Sequence, residues 1–71
     1  MTTGSRRRPT EPLVFRDDGG TYSCTDSGAR RWRISEVYTG WRLEFRDPGD
    51  MTATFAGTHR SLGAAQAEAA R

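Results

Sequence analysis

The segment Trp32-Arg33-Ile34-Ser35-Glu36-Val37-Tyr38-Thr39-Gly40-Trp41-Arg42-Leu43-Glu44-Phe45-Arg46 carries large apolar residues at every second position on both sides of Thr39-Gly40. That is the period of a β-strand with one buried face, and a two-residue loop at Thr39-Gly40 folds the two runs into an antiparallel hairpin. Pairing Tyr38 with Trp41 sets a register in which Ile34 lies opposite Phe45, Glu36 opposite Leu43 and Arg33 opposite Arg46. Trp32, Ile34, Tyr38, Trp41, Leu43 and Phe45 then share one face, interrupted only by Glu36.

On the C-terminal side, the turn signal Asp47-Pro48-Gly49-Asp50 leads into Met51 to Ala56, where Met51, Ala53 and Phe55 alternate with Thr52 and Thr54. For Ala53 and Phe55 to join Leu43 and Phe45 inside, the connection must hold an odd number of residues, which predicts a three-residue, bulge-type loop. After Gly57 the pattern becomes helical. Ser61 is a good N-cap, and Leu62 to Arg71 contains five alanines and no β-branched residue. Leu62, Ala65 and Ala69 fall on one side of that helix, a small-residue stripe that lets its backbone approach the sheet closely.

Toward the N-terminus, Leu13 to Arg16 and Thr21 to Thr25 are short β-prone runs joined by Asp17-Asp18-Gly19-Gly20, a first hairpin. Residues 1–12 hold two prolines and no large apolar residue beyond Met1, and read as a disordered, flexible basic arm. The expected fold is therefore α+β, in one domain over residues 13–71. It is a small antiparallel sheet of three strands, up to five with the first hairpin, and one C-terminal helix packed on one face.

Composition bounds the rest. Seventy-one residues, 34% hydrophobic and 28% charged with a net charge of +2, allow one small domain near the lower limit for a self-sufficient core. Such a domain is marginal alone or completes its core against a partner, including a second copy as a homodimer. No apolar run reaches the roughly 18 residues of a membrane span, and three arginines near the start are followed by no apolar segment, so a cytoplasmic protein is expected. All eleven basic residues are arginine, and lysine and asparagine are absent. This codon signature points to a GC-rich source, actinobacterial or phage, and offers a non-functional reason for the arginine content.

Enzyme chemistry finds little support. One Cys and one His leave Cys24 with His59 as the sole nucleophile–base pair, and nothing around either residue favours it. Asp17, Asp18, Asp47 and Asp50 lie in turns, where aspartate is expected for local backbone hydrogen bonds, so neither a metal site nor any other cofactor is expected.

The sheet face away from the helix is more informative. In the register above it displays Arg33, Ser35, Val37, Arg42, Glu44, Arg46, Thr52 and Thr54. Opposed arginines cost a sheet roughly 0.2 to 1 kcal/mol, and a bound phosphate would relieve them. Arginine, serine and threonine are the side chains that reach phosphates and base edges, and a β-ribbon can enter the major groove. Arg6, Arg7 and Arg8 are suited to follow a phosphate backbone. A solvated face partly neutralised by Glu44, and an arm that only aids solubility, are the plainer readings.

Trp32-x-Ile34, Gly40-Trp41-x-Leu43 and Phe55-x-Gly57-Thr58, followed by Ser61-Leu62-x-x-Ala65, carry a resemblance over residues 30–71. That segment resembles the three-stranded-sheet-plus-helix DNA-binding modules of the plant AP2/ERF type and the arm-binding domains of phage integrases. The resemblance implies an exposed sheet face in the major groove, with Arg33, Arg42 and Arg46 in contact with DNA. Glu36 and Glu44 depart from that pattern. The segment from Gly57 to Ala70, with His59-Arg60 before its helix, also looks like the end of a double-stranded-RNA-binding domain, a family that needs an N-terminal helix this chain does not offer.

The expectation is thus a non-enzymatic DNA-binding or DNA-associated regulatory module with duplex DNA as its partner. Arg33, Arg42 and Arg46 would contact phosphate or base edges, Thr52 and Thr54 would add hydrogen bonds, and Arg6, Arg7 and Arg8 would add backbone affinity. The alternative is an adaptor that binds a host protein through a strand edge or the aromatics beside Gly40.

Overall fold

The computed structural model describes residues 13–71; the arm expected over residues 1–12, with Arg6, Arg7 and Arg8, lies outside the described residues. The chain forms β1 (Arg16–Asp17), β2 (Thr21–Thr25), β3 (Arg31–Val37), β4 (Gly40–Arg46), β5 (Thr54–His59) and α1 (Leu62–Ala70). The strands pair antiparallel in chain order as a five-stranded meander, and α1 lies across one face against β3, β4 and β5. No helix among the described residues is long and apolar enough to cross a membrane.

The central hairpin forms as expected but two residues out of the expected register. Val37 pairs with Gly40, Ile34 with Leu43, Trp32 with Phe45 and Glu36 with Trp41. The loop is therefore Tyr38-Thr39, and Tyr38 stands fully exposed at its tip rather than in the core. Gly40 explains the shift. Its φ is 144°, and a Cβ there would run into the backbone carbonyl oxygen of His59 on β5, so position 40 is a glycine inside the ladder and not a turn residue. Because the shift is an even number, every other side chain keeps its expected face.

The third strand departs further. The connection after β4 spans residues 47–53, β5 begins at Thr54, and Met51 and Ala53 are exposed. Leu43 pairs with Gly57 and Glu44 with Phe55, which leaves Ala56 as an unpaired extra residue, a β-bulge. The bulge reverses the alternation. Phe55, expected inside, projects from the face opposite the helix and is 54% exposed, whereas Thr54 pairs with Phe45 on the helix side.

The helix follows its local signals. Ser61 is extended, its hydroxyl accepts a 3.0 Å hydrogen bond from the Ala64 N–H, and its carbonyl accepts from the Ala65 N–H. Ala65 and Ala69 press onto Ile34 and Leu43, and Ile34, Leu43 and Ala65 are completely buried. Trp32 completes this small core. Leu13, Phe15, Tyr22, Cys24, Trp41, Phe45, Ala56 and Leu62 pack around it, so the first hairpin adds strands to the core. Only Val14 of its apolar residues is left in solvent.

Beyond the helix the core is closed by charge. Arg30 places its guanidinium 3.8 Å from the Phe45 ring centroid and 5.5 Å from that of Trp32. It makes a two-point ion pair with Asp47, 2.7 Å from Nε to Oδ1 and 3.0 Å from Nη2 to Oδ2. Asp26 holds the neighbouring loop: its side chain accepts from the Gly28 and Arg30 N–H groups and from the Trp32 indole.

The Arg30 hydrogen bond holds the Asp47 carboxyl below its ordinary 3.8. A lowered carboxylate stabilises the fold fully above that ordinary value, and the contribution is lost as pH falls through the lowered folded-state value. Thermal melts below about pH 4 should therefore show an acid-sensitive component that Asp47→Asn abolishes. In the helix, Ala65→Leu forces volume into a closed interface and should lower the unfolding free energy by about 1–3 kcal/mol in chemical denaturation. Ala67→Leu, on the exposed side, should change it by no more than about 0.5 kcal/mol.

Candidate nucleic-acid interface

One face of the sheet is spent on the core, and the other carries the charge. Alternation along β2, β3 and β4 sends Thr21, Ser23, Thr25, Arg31, Arg33, Ser35, Arg42, Glu44 and Arg46 outward, and cross-strand pairing arranges them in rows. One row runs Arg16, Ser23, Arg33, Glu44, Phe55 across all five strands. A second runs Thr25, Arg31, Arg46, and a third Thr21, Ser35, Arg42, Thr58. The strands thus gather five arginines around Glu44, with Asp18 of the β1–β2 turn also lining the face, a formal charge of +3 on a chain whose net charge is +2. The remaining residues sum to a negative charge, so the basic face is a segregated feature and not an average property of the surface.

The arginines are not equivalent. Arg42 is engaged: its Nε lies 3.2 Å from Glu44 Oε2, and its guanidinium sits 4.7 Å from the Phe55 ring centroid. Glu44 is thereby committed to its neighbour along the strand. Among the described residues, Arg16, Arg31, Arg33 and Arg46 make neither an ion pair nor a side-chain hydrogen bond. Arg31 and Arg46 are a directly opposed cross-strand pair, so like charges are held side by side. The face is concave, an open hollow of ≈ 680 Å³ lined by Arg16, Arg31, Arg33 and Arg46, by the carboxylates of Asp18 and Glu44, and at its margin by Val14 and Ala53.

The expected site residues are partly brought together. Arg33, Arg42 and Arg46 share the outer face, but Arg33 lies opposite Glu44, and the opposed arginine pair is Arg31 with Arg46. Thr54 belongs to the other face and Thr52 to the loop before β5, so neither joins the arginines; Thr58 pairs with Arg42 instead. Arg16 and Arg31 were absent from the expected set although Arg31 lies two residues before Arg33, in phase with it. Ser23 and Thr25 carry the same alternating signal in β2.

The remaining chemistry-bearing residues lie apart. Cys24 pairs with Trp32 and His59 with Trp41, which puts them on β2 and β5, three strand spacings or roughly 14 Å apart across the sheet and four residues or roughly 13 Å apart along it. Burial, with the charge of Asp26, pushes the Cys24 thiol above its ordinary value and leaves it protonated near neutrality. No cluster of three or more metal-ligating side chains occurs among the described residues. No protein-family model, curated protein or solved structure matches this chain.

Proposed function

We propose that this protein is a non-enzymatic DNA-binding module, of the kind that serves DNA-associated regulation, and that its outer sheet face is the contact surface. The carrying observation is the set of four unpartnered arginines, Arg16, Arg31, Arg33 and Arg46, gathered on one concave face with Arg31 and Arg46 opposed. Phosphate oxygens placed between them turn a repulsion into charge-assisted hydrogen bonds. Ser23, Thr25 and Ser35 stand between the arginines as neutral donors, the side chains that commonly join arginine on a nucleic-acid backbone.

The adaptor reading has less on its side. Trp41 is not a free anchor, because its ring packs edge-on to Tyr22 at 6.1 Å. Tyr38 stands alone at the β3–β4 turn, and Met51 projects from the loop at the other end of the strands. Tyr38 and Met51 therefore lie at opposite ends of the sheet and do not share one surface.

Binding should show the salt signature of phosphate contacts. With four contacts, affinity for labelled DNA of about 20 base pairs, followed by fluorescence anisotropy, should fall on the order of 100-fold between about 50 and 200 mM salt. The double substitution Arg31→Ala and Arg46→Ala should halve that salt slope and weaken binding, with a circular dichroism melt no lower than the parent's because a like-charge pair is removed. Salt-indifferent binding, or affinity untouched by the double substitution, would reject the proposal in favour of a protein partner.

A further inference from the structure

Phe55 is the feature of the outer face that phosphate contacts leave unexplained. Simple alternation from β4 would turn it inward, and the Ala56 bulge turns it outward instead, into the row that ends Arg33, Glu44, Phe55. A large aromatic ring is thereby left 54% exposed on a mostly polar face whose other exposed large apolar side chain, Val14, lies at the far edge, and the ring is packed by the Arg42 guanidinium, which Glu44 holds in place. Bulges that re-aim a side chain in this way are over-represented beside functional sites. An exposed ring backed by a guanidinium and set beside a basic hollow has the chemistry of a stacking platform for an unpaired base.

The shape of the face points the same way. The four strands that line the basic hollow, β1 to β4, span three inter-strand spacings, roughly 14 Å, and the surface is concave across them. A major groove is about 12 Å wide, so the central arginines on β3 and β4 sit recessed between strands too broadly spread to follow them into it. A single strand can instead lie in the hollow. Its phosphates would meet Arg31, Arg33 and Arg46, and a base released from stacking would turn toward β5.

Building on the DNA-binding reading above, we infer that the ligand of this face is single-stranded DNA, with one base stacked on Phe55 and Arg42 and the backbone held by Arg31, Arg33 and Arg46. Stacking of this kind tolerates every base, so the site is nearly indifferent to sequence.

The test compares one labelled mixed-sequence DNA as a single strand and as its duplex, by anisotropy at low salt, for the parent chain, three variants at Phe55 and the arginine double variant. The single strand should bind at least on the order of 10-fold more tightly than the duplex. Phe55→Ala should weaken single-strand binding on the order of 10- to 100-fold and leave duplex binding and the thermal melt unchanged. Phe55→Leu keeps apolar bulk without a π-face and should lose affinity equally, whereas Phe55→Trp should retain it. Parent-level binding by Phe55→Leu, or a duplex bound as tightly as the single strand, would overturn the inference. If binding of either DNA still weakens with Arg31→Ala and Arg46→Ala, the DNA-binding function survives that failure; if neither DNA binds at low salt, both fail.

Discussion

Ile34 and Leu43 face each other across the two central strands, sealed under Ala65 and Ala69, and every other placement in the molecule is tied to that contact. Both side chains are fully buried in a domain with few others to bury, so a one-residue slip between β3 and β4 would expose half of the core at once. The face is therefore strongly specified. Once Ile34 and Leu43 point at the helix, Arg31, Arg33, Arg42, Glu44 and Arg46 must point away from it. The charged surface follows from the packing of the apolar one.

The same logic separates what could be read from the chain and what could not. Alternation, the Ser61 cap and the alanine stripe are local signals, and the hairpin pair, the helix and the identity of the inner face all follow from them. Register is different, because shifts of zero and two residues put the same side chains of the paired strands on the inner face and differ there only at Tyr38. What decides between them is the Gly40 backbone lying against His59, a contact between residues nineteen apart in the chain. The expected like-charge pair was accordingly displaced by one strand step, from Arg33 to Arg31. The Ala56 bulge has no local signature either. Met51, Ala53 and Phe55 read as a continuous inward row, and only pairing to β4 shows that Gly57, not Phe55, lies opposite Leu43.

Arg30 shows a third way in which a small core is completed. Its position alternates with Trp32 and Ile34, so it belongs to the inner face, where α1 leaves Phe45 and Trp32 partly uncovered. A planar guanidinium can cover aromatic rings and still satisfy its donors at its edge, and Asp47 accepts two of them. Lysine offers no such plane. One ion pair thus links the β2–β3 loop to the β4–β5 loop and shields the end of the sheet, a task that a larger domain would give to another apolar residue.

Arginine accordingly has two roles on opposite sides of one sheet. On the inner side Arg30 has both a carboxylate and aromatic rings, and its charge is consumed within the fold. On the outer side Glu44 is committed to Arg42, and four further guanidiniums are held in fixed rows by a ladder that does not depend on them. Composition alone, in which arginine is the only basic residue, cannot distinguish these roles; partners can. A cation that stabilises the fold has its counter-charge within the chain. Arginines set side by side without one place a small repulsive load on a domain with little stability to spare, and an anionic ligand at that face would relieve it. The fold bears the charge because its packing lies wholly on the other face.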